Sequence, residues 1–152
     1  MLVLDTSLLS LFVVGSAGRD LIGKHKRLRE FTVDDFDLLR MLIAEAGGLV
    51  ITPNTLTETS NWLGYIDEPA RTRIYEMFRL LIAAGNEQYV QSNAAALAAE
   101  FTRLGLTDVV VMEVSQAPRS LLTTDLDLYL AALDRGLAAV NFNHIRAEFG
   151  LV

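Results

Sequence analysis

MLVLDTSLLSLFVV, residues 1–14, is the stretch on which the fold turns. Leu2, Val3 and Leu4 read as a short buried strand that stops at an acid, Asp5. SLLSLFVV follows at once and reads as an apolar helix, with a stop expected near Gly15. A buried strand running straight into a helix is the first half of a parallel β-α-β unit.

The same alternation recurs along the chain. Thr32 is placed to cap a helix whose apolar residues Phe36, Leu39, Ile43 and Ala46 fall on one face, with Gly47 and Gly48 as its stop. LVIT (49–52) reads as a second strand, and Thr52-Pro53 as the start of a helix that carries Glu58 and ends near Gly64. Pro69 opens a further helix, with Ile74, Met77, Phe78, Leu81 and Ile82 expected inward and Gly85 closing it. EQYVQ (87–91) reads as a third strand. Asn93 is placed to cap a helix through Leu97, Phe101 and Leu104, closed by Gly105. LTDVVVMEVSQ is ambiguous: its β-branched residues favour a strand, whereas its position favours a buried helix capped by Thr107. SLLTT (120–124) reads as a strand, followed by a helix through Leu128, Leu130 and Leu133 to Gly136, and AAVNF as the last strand. The expectation is one α/β domain over residues 1–152, a three-layer α/β/α sandwich on a central, mainly parallel sheet.

Bulk properties bound the function. The chain has 152 residues, half of them apolar, which suits one domain with a sizeable core. It has no cysteine, so neither a disulfide framework nor a thiolate metal site is available, and a reducing cytoplasm is the expected compartment. No apolar run approaches the ~20 residues of a membrane span, and MLVLD lacks the basic leader of a signal peptide. The net charge of −6 alone argues against nucleic-acid binding. If several carboxylates are metal ligands, the bound metal would offset part of that charge. Arg19, Lys24, Lys26, Arg27 and Arg29 also crowd into one stretch that is otherwise without clear periodicity.

Sites in open parallel sheets lie beyond the carboxyl ends of the strands. Asp5 ends the first strand, Glu58 lies on the helix after the second, and Asp125 follows SLLTT. Asp108 opens a helical turn that can point to the same edge. Each acid has a plainer reading. Asp125 suits a helix N-cap, Asp108 complements a helix dipole, and Glu58 is the kind of residue helices leave in solvent. Asp5 is the hardest to explain by packing. Four carboxylates brought together without a cation repel one another and raise some of their pKa values, so a cluster of them points to chemistry.

Together these segments resemble the PIN-domain family. The resemblance rests on VLDTS (Asp5, Thr6, Ser7), on Glu58 in TPNTLTETSNW, on Asp108 in GLTD, on Thr124 and Asp125 in LLTTDLDL, and on the following strand AAVNFN. It spans almost the whole chain. It implies a metal-dependent endoribonuclease that hydrolyses phosphodiester bonds of single-stranded RNA, with Asp5, Glu58, Asp108 and Asp125 as catalytic metal ligands. Mg²⁺ or Mn²⁺, which favour oxygen donors, are the expected ions. It also implies, for small single-domain members, the toxin of a toxin–antitoxin pair: a homodimer silenced by a small antitoxin protein. Thr6, Thr124 and Asp127 are accessory candidates, Asp127 being a second acid near the fourth position. Lys24, Lys26 and Arg27 are candidate RNA contacts. Trp62 and Tyr65, on the Glu58 helix, could stack a base or serve packing. His25 and His144 read as surface residues.

Two rival readings stand beside this one. The first is a catalytically silent PIN-fold module that binds RNA or protein. The second is a phosphatase-like enzyme, which would need an acid two residues after Asp5, where Ser7 stands.

Overall fold

A computed structural model describes residues 1–152. Five strands, β1 (Leu2–Leu4), β2 (Leu49–Ile51), β3 (Asn86–Glu87), β4 (Ser120–Thr123) and β5 (Ala139–Asn141), form one sheet in the order β3-β2-β1-β4-β5. Every pairing is parallel. Nine α-helices accompany them: α1 (Thr6–Ala17), α2 (Val33–Glu45), α3 (Pro53–Leu63), α4 (Ala70–Ala84), α5 (Ser92–Ala95), α6 (Phe101–Leu104), α7 (Leu106–Val114), α8 (Leu126–Asp134) and α9 (Phe142–Glu148).

Strand alternation divides the core into two. Leu2, Leu4, Ile51 and Leu122 face one cluster with residues of α1, α2, α3, α4 and α9, whereas Val3, Val50 and Leu121 face the other with residues of α7 and α8. The architecture is therefore a three-layer α/β/α sandwich. The chain winds from β1 through β2 to β3 with helices on one face, then returns to β4 and β5 on the other side of β1 with helices on the opposite face. The order thus reverses between β1 and β4, the crevice where open parallel sheets place their ligands.

α1 is buried nearly all round, with Leu8, Leu9, Leu11, Val13 and Val14 all inaccessible, as an apolar helix clasped between neighbours requires. Gly15 does not stop it. The helix runs on to Ala17, and Gly15 instead allows the close approach of α2: a Cβ there would lie 2.2 Å from the Phe36 ring. Thr32 caps α2 in a full capping box with Asp35, and Thr52 caps α3 ahead of Pro53.

Other expectations are corrected. Residues 19–24 form a 3-10 helix. The third strand ends at Glu87, so Gln88–Gln91 extend beyond the sheet. The single helix expected from Asn93 to Leu104 is two short pieces, α5 and α6; Leu97 between them is 87% exposed. Of the residues expected inward on α4, Ile74 and Phe78 are buried while Ile82 is exposed. Leu130 and Leu133 of α8 are also exposed. The ambiguous LTDVVVMEV is helix, because its valines fill the second core cluster from α7. No helix is long and apolar enough to cross a membrane.

Candidate acidic site

β1 and β4 are neighbours, and the residues just past their carboxyl ends meet. Oδ1 of Asp5 accepts from the Leu8 amide at 2.9 Å, capping α1, and from the Ser7 hydroxyl at 3.0 Å. Its Oδ2 accepts from the Thr123 hydroxyl, a very short bond, and from the Thr124 amide at 2.9 Å. The Thr124 and Ser7 hydroxyls are 3.0 Å apart. Asp5 is thereby buried and held by the ends of two strands. Its capping and strand-joining roles were not foreseen from the sequence.

Glu58 lies on α3, which packs along α1, and its Oε1 accepts from the Thr6 hydroxyl at 2.9 Å. Thr6 thus orients one of the candidate acids. Asp125 caps α8 through the Leu128 amide at 3.1 Å, and the Thr123 hydroxyl accepts from the Asp125 amide at 2.9 Å. Asp125 combines the plain cap reading with a place at the site. Asp127 stands in the first turn of α8, exposed.

Asp108, in the first turn of α7, ties the set together electrostatically. Burial, then the negative charges of Asp125, Asp5 and Glu58, raise its carboxyl from 3.8 to about 7. The charges of the other three acids thus reach Asp108, and Asp127 is not among the charges acting on it. None of the four forms an ion pair with a lysine or arginine; the ion pairs of the molecule lie elsewhere.

A divalent cation is what the family resemblance implies. The donor chemistry suits a hard ion: carboxylates and hydroxyls, with no cysteine in the chain. As the side chains stand, however, no three acidic or histidine residues are arranged to hold a metal ion. Mutual repulsion among unpaired carboxylates, together with the saturation of both Asp5 oxygens by protein donors, gives a physical reason for this spread.

The basic segment lies against the carboxyl end of α3. The Lys26 amide donates to the Tyr65 carbonyl at 3.3 Å. The Arg27 guanidinium lies 4.4 Å from the Tyr65 ring centre and 5.4 Å from that of Trp62. Trp62 and Tyr65 are therefore engaged by a cation from their own chain. Lys24 and Lys26 line a separate cleft with Asp20, Asp67 and Glu68.

His25 is not a surface residue: it is 1% exposed. Nε2 lies 3.2 Å from the Leu63 carbonyl, and Nδ1 accepts from the Arg27 amide at 3.2 Å. Burial holds its pKa below the usual histidine value; the Leu63 bond opposes this and the Arg27 charge adds to it. The neutral ring is a peg between the basic segment and α3. His144 is exposed, as expected, and meets Tyr129 edge-on.

No family model matches the chain, and no curated protein or solved structure matches it either.

Proposed function

We propose that the chain is a metal-dependent endoribonuclease acting on single-stranded RNA, with Asp5, Glu58, Asp108 and Asp125 as its Mg²⁺- or Mn²⁺-holding acids. One observation carries the reading. At the topological switch of the sheet Asp5 is bonded to the residues leaving β4, its charge acts with those of Glu58 and Asp125 on Asp108, and no basic side chain pairs with any of the four. Unpaired acids in that place suit a partner that brings positive charge. Bound there, divalent ions would activate water and stabilise charge on the attacking and leaving oxygens of a phosphodiester.

The chain's own residues have distinct parts in this reading. Thr123 and the Thr124 amide fix the direction of the Asp5 carboxylate, Thr6 fixes Glu58, the first turn of α7 presents Asp108, and Asp125 stands at the N-cap of α8. A homodimer and silencing by a small antitoxin protein in a toxin–antitoxin pair rest on the sequence resemblance alone, and a cytoplasmic location on the absence of cysteine and of a basic leader.

The test is cleavage of mixed-sequence single-stranded RNA with Mg²⁺ or Mn²⁺. Activity should vanish with EDTA and in Asp108→Asn. Cleavage that survives both changes would end the metal-nuclease reading.

The saturated hydrogen bonding of Asp5 and the spread of the other acids favour one rival, a silent PIN-like module that binds RNA or protein. RNA binding by the wild-type protein without cleavage under any divalent ion would decide for it.

A further inference from the structure

We propose that the cleft between α3 and the chain leaving β3 is a nucleobase subsite, in which Tyr89 stacks an unpaired base of single-stranded RNA beside the acidic cluster; this rests on the nuclease reading and names where its substrate lies. β2 and β3 are parallel neighbours, with Val50 opposite Asn86 and Ile51 opposite Glu87. Both chains therefore leave the sheet at the same edge, the one past which Asp5 and Asp125 sit. After the Gln88 amide bonds the Ile51 carbonyl at 2.8 Å, the chain runs free of the sheet alongside the first turns of α3. Between them is a cleft of about 440 Å³ whose lining includes Asn54, Thr57, Glu58, Tyr89, Ser92 and Thr107.

The wall has the chemistry of a base site. Tyr89 is 73% exposed, so its ring adds almost nothing to the core. An exposed aromatic face in a cleft is a stacking platform, and every base offers a π face to it. A base must be unpaired to reach such a platform, which selects single-stranded RNA over a duplex. Around the ring stand an amide and hydroxyls, neutral groups able to meet base edges or a ribose hydroxyl. Glu58 is the one charged residue of the lining and is itself one of the four acids, and Thr107 immediately precedes Asp108. An occupant of the cleft therefore abuts the acidic cluster, as a nucleotide flanking the reacting phosphate must.

The experiment compares wild type, Tyr89→Ala and Tyr89→Phe on a fluorescein-labelled, mixed-sequence single-stranded RNA. KM and kcat are measured with Mn²⁺, and Kd by anisotropy in the same three proteins carrying Asp108→Asn. Loss of one stacked base should raise KM and Kd about tenfold in Tyr89→Ala, with kcat within about twofold of wild type. Tyr89→Phe should restore both constants, and the melting temperature should be the same in all three. Wild-type KM and Kd in Tyr89→Ala would overturn the subsite while leaving the nuclease reading intact. A wild-type protein that neither binds nor cleaves RNA would overturn both.

Discussion

The Thr124 amide donates to Oδ2 of Asp5 at 2.9 Å, joining the exits of two adjacent strands that are 119 residues apart in sequence. Ser7, Leu8 and Thr123 also donate to this one carboxylate. From sequence alone, Asp5→Asn is expected to leave the metal-free fold as stable or more so, since it removes repulsion. The geometry reverses that expectation. An amide keeps one acceptor oxygen and turns an NH₂ toward groups that themselves donate. Hydrogen bonds to a charged group contribute roughly 1.5–3 kcal/mol each, so Asp5→Asn should cost about 2–3 kcal/mol in urea unfolding. A variant as stable as wild type would show that these bonds do not hold the strand ends together.

Asp108 should behave in the opposite way. Its folded carboxyl titrates near 7 against 3.8 when unperturbed. Between those values the folded state binds the proton more tightly than the unfolded chain. Stability from this group is therefore full below about pH 4, declines as pH rises toward 7, and is flat above. Asp108→Asn removes that decline. The two proteins should match near pH 3.5, diverge through pH 4–7, and differ by about 2 kcal/mol at pH 8 in favour of Asn, after allowance for partial solvent screening. Paired urea titrations across this range check it; a gap that is constant with pH would remove Asp108 from the cluster.

Divalent ions should act on the same group. If Mg²⁺ or Mn²⁺ binds the folded cluster, it raises the melting temperature of the wild type, and an excess of ~100 times Kd adds about 2.7 kcal/mol. Binding near pH 6.5 should also release a proton from Asp108, because ligands bind metal deprotonated. Calorimetry in two buffers of different ionisation enthalpy measures that release. Equal heats in both buffers, or an equal melting shift in Asp108→Asn, would place the ion elsewhere.

What could be read in the sequence, and what could not, follows from how local each signal is. Asp5, Glu58, Asp108 and Asp125 each sit at or soon after an element boundary marked by neighbouring residues, and a parallel sheet carries all such boundaries to one edge. Tyr89 was hidden inside EQYVQ because propensity cannot tell where pairing ends; β3 stops at Glu87, where the partner strand β2 also runs out. His25 reads as a surface residue because its neighbours in sequence are polar, whereas in space it is buried against the carboxyl end of α3, with the Leu63 carbonyl, 38 residues away, at 3.2 Å. The helix expected through Leu97 is interrupted by the break between α5 and α6, which leaves Leu97 exposed.

The Arg146–Asp35 pair, 111 residues apart, had no local signal at all. Arg146 of α9 binds both carboxylate oxygens of Asp35, at 2.8 and 3.0 Å, and also reaches the Glu30 carbonyl and Asn143. Both side chains are buried. Removing one partner strands the other's charge, so Arg146→Met should cost about 3–5 kcal/mol. Adding Asp35→Asn discharges the stranded group while keeping an acceptor for the Thr32 amide, and should recover part of the loss. Additive losses in this double-mutant cycle would mean that the pair is not coupled.

The basic segment yields the last prediction, because the structure divides its charges. Lys24 and Lys26 are exposed, and Lys24 has only a 3.8 Å contact with Asp20, a pair too exposed to hold it from another anion. Arg27 is committed to the Tyr65 and Trp62 rings. If RNA passes over this end of α3, Lys24→Gln with Lys26→Gln should weaken binding and lower the log–log salt slope by about 1.4, roughly 0.7 per phosphate contact on a single strand. The value of kcat should be unchanged, since the segment bonds to the carboxyl end of α3, beyond Glu58. Arg27→Gln should differ in kind. Trp62 is the only tryptophan, so losing the guanidinium over its ring should change the protein's fluorescence before any RNA is added. A fall in kcat for the lysine pair, or an unaltered salt slope, would take these lysines off the RNA path.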